Sequence, residues 1–220
     1  EKVLLERIPG CKGKTIAALV GVDPFFLEAP INNLAQQDPV RLLSITRLAE
    51  PRKNIHKVLR ALAALQVDYN FHYTVIGDGY AKTELEALAQ TLGLAGRVDF
   101  TGSLPRQALR QKLAASNLFV LTSSVLPTSH EGFGLVYLEA AACGVPSLAV
   151  EQAGAAEAVK PGVSGFFAAT ADTIAITEAL RAFISGKQEF ERIQCRQFAE
   201  QFTWTSVVEK ALPIYNQTRI

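Results

Sequence analysis

Short apolar runs alternate along the chain with longer stretches in which apolar positions recur every three or four residues. These are the signatures of buried strands and amphipathic helices. The runs predict strands at 40–46, 72–76, 97–101, 117–122, 146–150 and 164–168. The helical periods predict helices at about 54–67, 80–92, 105–115, 134–143, 153–160, 171–185, 187–200 and 204–216. Over the first of these, Ile55, Val58, Leu59, Leu62 and Leu65 fall on one face. The alternation specifies an α/β fold, a doubly wound parallel sheet of the Rossmann-like kind, filling residues 40–220 as one domain. Residues 1–39 lack it and read as a linker. There Ile8-Pro9-Gly10 opens a turn-rich link, and Gly21-Val22-Asp23-Pro24-Phe25-Phe26 reads as strand, turn and extended exit. At the far end Thr203 is placed as an N-cap, with Trp204 and Val207 on the apolar side and Trp204 as a packing residue.

Sheets of this kind bind ligands outside the carboxyl ends of their strands. Four loops lie there: Thr46 to Asn54, Gly77-Asp78-Gly79, Gly102-Ser103, and residues 123–134. The last is the richest. Gly132 and Gly134 bracket Phe133, helical sequence begins at Leu135, and Gly144 followed by Pro146 stops it. Free backbone N–H groups and the positive end of a helix dipole therefore converge on one spot, a ready site for phosphate. Two carboxylates frame that spot, Glu131 before the helix and Glu139 a little over a turn inside it. They suit a ligand with hydroxyl-bearing sugars on both sides of a diphosphate, because carboxylates accept strong hydrogen bonds from hydroxyls. Arg47 and Lys53, on one short loop, supply fixed cations for a leaving group that gathers negative charge, with Arg52 a weaker competitor for the place of Lys53. His130 reads as a loop histidine rather than a general base.

Composition narrows the class. Apolar residues make up 49% and charged residues 20% of the 220, and the net charge is +1, so nothing favours a nucleic-acid surface. Cys11, Cys143 and Cys195 are odd in number and lack metal-ligand spacing, and the three histidines are scattered, which points away from metal and toward a cytoplasmic setting. No apolar run approaches the roughly 20 residues a bilayer span needs. Methionine is absent altogether, which leads us to expect a fragment.

The run from Glu131 to Pro146, Glu-Gly-Phe-Gly-Leu-Val-Tyr-Leu-Glu-Ala-Ala-Ala-Cys-Gly-Val-Pro, resembles the E-x7-E signature of retaining glycosyltransferases of the GT-B fold. The likeness is best to family 4, the glycosyl transferases group 1, and covers about residues 15–215. Arg47-Leu48 through Lys53-Asn54 resembles that family's Gly-Arg-Leu…Lys-Gly segment, with Thr46 in place of the glycine and one extra residue, and Val20 stands where the family usually has Asn. The resemblance implies the C-terminal, donor-binding half of such an enzyme, with no cofactor or metal. Arg47 and Lys53 would hold the diphosphate of a nucleoside-diphosphate sugar, UDP- or GDP-linked. Glu131 would hold the donor sugar and Glu139 the ribose. Gly77 and Gly79 would line the nucleotide cleft, Ser103 would meet the base, and Gly132, Phe133, Gly134 and Leu135 would meet phosphate or sugar. It further implies hexose transfer with retention, to a glycan, lipid or small molecule reached through an N-terminal domain absent from this chain. The parent enzyme would be cytoplasmic, with peripheral association at the inner membrane face also open. Other readings stay open: a non-catalytic nucleotide-sugar-binding module, a sugar-nucleotide epimerase, or a sucrose or trehalose-phosphate synthase. A Rossmann dehydrogenase is disfavoured, since no Gly-x-Gly-x-x-Gly follows the first strand.

Overall fold

All six apolar runs form strands: β1 (Val40–Ile45), β2 (Phe71–Ile76), β3 (Val98–Gly102), β4 (Leu118–Val120), β5 (Ser147–Val150) and β6 (Gly165–Ala168). They were traced in a computed structural model that describes residues 20–31, 38–126 and 132–217. The strands make one parallel sheet in the order β3-β2-β1-β4-β5-β6. The chain works outward from β1 to one edge, then crosses back to start again at β4. The two halves therefore diverge between β1 and β4, where Leu42 pairs with Leu118 and Leu43 with Phe119. At such a switch point the loops leaving the two strands turn to opposite faces, and a crevice opens between them.

The helices are α1 (Pro24–Leu27), α2 (Ile55–Leu65), α3 (Lys82–Thr91), α4 (Arg106–Ala114), α5 (Leu135–Ala142), α6 (Ala155–Ala158), α7 (Thr173–Ile184), α8 (Arg192–Ala199) and α9 (Trp204–Gln217). Strand side chains alternate between two cores. Leu42, Leu118, Val120 and Leu148 face the layer of α2, α3 and α7, whereas Leu43, Phe119 and Ala149 face α1, α4, α5, α6 and α8. The apolar face expected of α2 is wholly buried: Ile55, Val58, Leu59, Leu62 and Leu65 are each at most 3% exposed. Each such side chain contributes about 1.5–3 kcal/mol of transfer free energy. No helix among the described residues is long and apolar enough to cross a membrane.

Several elements differ from the expectation. Residues 24–27 are a helical turn, not an extended exit: the Asp23 carboxylate accepts from the Phe25 N–H at 2.9 Å and Pro24 occupies the first turn. Val22, Phe26 and Ala29 join the core, so this part of the expected linker packs on the domain. β4 ends at Val120, although Leu121, Thr122 and Ser123 stay buried. The helices expected at 153–160 and 187–200 contract to α6 and α8. Arg192 donates to the carbonyls of Ala114 and Ser116 at 2.8 and 2.9 Å, and Arg196 to that of Ala142 at 2.8 Å. The bonds to Ala114 and Ala142 satisfy helix-end carbonyls of α4 and α5. Thr203 does cap α9, its hydroxyl accepting from the Ser206 N–H at 3.1 Å. Trp204 is 53% exposed but packs on the Gly21 backbone, which only the lack of a side chain at Gly21 allows to pass its ring.

Candidate functional site

The loop leaving β1 carries the basic residues. Arg47 is exposed and reaches Glu50 at 3.2 Å, while Pro51–Lys53 wind into a single 3₁₀ turn. Within that turn Arg52 folds inward onto the other Glu50 oxygen at 2.6 Å, and both Arg52 and Lys53 are buried. Asn54 ends the turn in the left-handed region (φ 58°, ψ 23°) and opens α2. Its side-chain amide donates to the Thr122 carbonyl at 2.5 Å and to the Ser124 hydroxyl at 2.8 Å. Ser124 in turn donates its N–H to the Arg52 carbonyl at 2.8 Å. The basic turn and the exit of β4 are thus one hydrogen-bonded unit at the switch point.

The glycine loop stands at the same edge. Gly134 opens α5 at φ 80°, and a Cβ there would come within 2.7 Å of the Tyr137 ring. Only glycine meets both conditions without strain. Gly134 brings no side chain to cap α5, and the positive end of the helix dipole stands at this edge. Gly132 and Leu135 are exposed, and the half-buried Phe133 ring packs toward Phe202 with centroids 6.2 Å apart. His130 and Glu131 lie outside the described residues. Behind the loop, Gly154 touches it so closely that a Cβ would stand 2.4 Å from the Gly132 carbonyl oxygen. Gln152 accepts from the Val125 N–H at 3.1 Å, which ties the segment after β5 to the same loop.

The turn after β2 is zipped to the basic loop. Thr46 donates to the Ile76 carbonyl at 3.0 Å, Leu48 to that of Asp78 at 2.8 Å, and Ala81 back to that of Leu48 at 2.9 Å. A Cβ on Gly77 (φ 134°) would lie 1.9 Å from the Thr46 carbonyl oxygen, and one on Gly79 would lie 2.3 Å from the Leu48 carbonyl carbon. Both glycines exist for this close approach. Ser103, exposed at the end of β3, gives its backbone N–H to Asp78 Oδ2 at 2.8 Å. That bond above all holds the Asp78 carboxyl below the usual carboxylate range.

Glu139 lies half-buried within α5. Burial pushes its carboxyl above the ordinary value, with the Arg106 charge opposing and the Asp23 charge reinforcing the shift. Asp23 and Arg106 are themselves ion-paired, and Arg106 and Arg110 stack on the Phe25 ring at 4.4 and 4.0 Å from its centroid. Among the described residues no three of His, Cys, Asp and Glu gather into a metal-holding group. The described contacts join the β1 loop, the Gly77–Gly79 turn and Ser103 into one group, while Glu139 lies within α5, the helix that the glycine loop opens. Asn54 and Gly154 were not singled out from the sequence. Asparagine's tolerance of the left-handed region was the available signal for Asn54, whereas the contact of Gly154 is non-local and left none.

Comparison with known proteins identifies the family and the fold. The family model described as "Glycosyl transferases group 1" matches residues 27–201. The chain is 30% identical over 189 residues to a D-inositol 3-phosphate glycosyltransferase of Geodermatophilus obscurus, covering 81% of this chain and 40% of that protein. It is 34% identical over 142 residues to a GDP-mannose-dependent alpha-(1-6)-phosphatidylinositol monomannoside mannosyltransferase of Mycolicibacterium smegmatis, covering 63% and 37%. Among solved structures, the lipopolysaccharide outer core galactosyltransferase WaaB shares the fold with a TM-score of 0.73 at 23% identity, over 90% of this chain and 54% of that one. The Anabaena protein HepE, solved with UDP and glucose, superposes with a TM-score of 0.66 at 27% identity, over 90% and 52%. The chain thus spans about 40% of these relatives' length and about half of these structures. With the family model covering well over half of the 220 residues, and a doubly wound sheet of the GT-B type beneath it, the chain belongs to the group 1 glycosyltransferases.

Proposed function

We propose that the chain is the donor-binding half of a retaining hexosyltransferase, holding a nucleoside-diphosphate sugar at the switch point between β1 and β4. One observation carries the reading. The basic turn is hydrogen-bonded through Ser124 to the exit of β4, whose continuation is the glycine loop that opens α5 on Gly134. In this reading Arg47 and Lys53 stabilise the charge that collects on the diphosphate as its bond to the sugar breaks, helped by the α5 dipole and the N–H groups of Gly134 and Leu135. Fixed cations do this without a divalent metal. Glu139 accepts from the ribose hydroxyls, and Glu131 holds the hydroxyls of the donor sugar. Gly77 and Gly79 shape the nucleotide cleft, Gly132 and Phe133 border the sugar, and Ser103 meets the base.

The donor is UDP- or GDP-linked. The GDP-mannose dependence of one relative and the UDP in one structural neighbour support that choice. Transfer proceeds with retention to an acceptor bound by a second, N-terminal domain, and the present chain alone binds donor but transfers nothing. A thermal-shift panel of uridine, guanosine and adenosine diphosphate sugars tests the reading. A ligand at one hundred times its Kd adds about 2.7 kcal/mol to stability, a rise of roughly 5–10 °C for a chain of this size. A panel in which no diphosphate sugar raises the transition overturns it.

A further inference from the structure

We infer that Asn54 is a positioning residue, whose side chain fixes the buried Arg52–Lys53 turn against the exit of β4 so that it meets a diphosphate already in place. The inference rests on the donor-site reading above and deepens it.

Asn54 does two jobs that are usually separate. Its backbone takes the left-handed conformation the turn needs, which glycine would adopt at less cost, and its N–H closes the turn on the Pro51 carbonyl at 3.0 Å. Its carbonyl accepts from Lys57 at 2.9 Å and Val58 at 3.0 Å, which starts α2. Asparagines at such a position commonly cap the helix, but here no side-chain cap is made. The amide reaches across the switch point instead, to the Thr122 carbonyl and the Ser124 hydroxyl. With the Ser124 N–H to Arg52 bond, these make three hydrogen bonds between the two loops, and Asn54 supplies two of them from a 3% exposed position. A glycine would preserve the turn and remove these two bonds. The clamp thus goes beyond what backbone geometry requires. What it fixes is the placement of two cationic residues relative to the loop that runs on into α5. Preorganised charge acts on a developing anion without reorganisation, so the clamp should matter where phosphate charge is greatest.

The test compares Asn54→Gly with the unaltered chain by calorimetry, using UDP, GDP and ADP and the matching monophosphates, with circular dichroism to confirm folding. The expected result is about a tenfold loss of affinity for the preferred diphosphate, with the monophosphate changed less than twofold. The salt dependence of diphosphate binding should also become shallower. General destabilisation would weaken both ligands together or neither. Ser124→Ala, which removes one acceptor from a half-buried position, keeps the test open if Asn54→Gly does not fold, and should lose about threefold on the diphosphate alone. Equal diphosphate affinity in the folded variant, or parallel losses on both ligands, overturns the positioning role while leaving the donor site intact. Failure of the unaltered chain to bind any of the diphosphates overturns the donor-site reading and the positioning role with it.

Discussion

Ser124 gives its backbone N–H to the carbonyl of Arg52 at 2.8 Å. That bond joins the loop after β1 to the loop after β4, at the one place in the sheet where neighbouring strands send their connections apart. Cations from one half of the chain and a helix N-terminus from the other are brought to a common edge, and the proposed diphosphate site depends on that meeting.

Arg47 is the exposed member of the basic loop, its side chain 84% accessible and paired only at the surface with Glu50. Exposed pairs of this kind add little to stability. Arg47→Ala should therefore leave the melting temperature within about 2 °C of the original, while lowering nucleoside-diphosphate affinity roughly 10- to 100-fold through loss of a charge-assisted contact. Calorimetry paired with a thermal melt checks both halves. Unchanged affinity would remove Arg47 from the site.

Gly154 has no room for a side chain. A Cβ there would meet backbone atoms of Gly132 and Phe133 at 2.4–2.5 Å, and backbone cannot swing aside as a flexible side chain can. Gly154→Ala should cost about 1–3 kcal/mol in a urea melt. It should also weaken diphosphate binding, because the loop displaced is the one that opens α5. A destabilised variant with intact affinity would show that the glycine loop does not contact the ligand.

Much of this was legible in the sequence, and the exceptions share a cause. The six strands were readable because parallel strands covered on both faces are continuous apolar runs, as Leu118-Phe119-Val120 and Ser147-Leu148-Ala149-Val150 are. The end of β4 was not, because Leu121 to Ser123 remain buried after regular pairing stops, and burial is all that an apolar run reports. The turn at Pro24–Leu27 carried a readable signal, Asp followed by Pro at a helix start, which its shortness obscured. Arg47, Lys53 and the glycine loop stood out as candidates because the chemistry proposed for them is local in sequence. The clamp of Asn54 and the contact of Gly154 join residues distant in the chain, and no spacing rule encodes them.

Glu139 ties stability to pH. Burial raises its carboxyl above the ordinary value, so the folded chain binds that proton more tightly than the unfolded one. Its contribution to stability is then fullest below the ordinary glutamate range and is lost as pH rises from that range through the raised value. At neutral pH the ionised group is a burden that Glu139→Gln removes. The variant should melt higher than the original at pH 7, the gap closing toward pH 4, and should bind nucleoside diphosphate about tenfold more weakly. A gap independent of pH would contradict this.

The thiols of Cys143 and Cys195 are fully buried, and burial pushes both up to about 12. At pH 8 only about one in ten thousand of either would be thiolate, the reactive form. Iodoacetamide should leave both unlabelled in the folded chain and label both in denaturant, as read by peptide mass spectrometry. Rapid native labelling would show that the layer of α5 and α8 opens readily.

The most direct measurement is a crystal structure of the chain with its preferred nucleoside diphosphate. The pyrophosphate should rest on the N–H groups of Gly134 and Leu135, with Arg47 and Lys53 opposite and the ribose hydroxyls on Glu139. A diphosphate bound elsewhere on the sheet, or at this edge but out of reach of both the basic loop and the α5 N-terminus, would contradict the assignment.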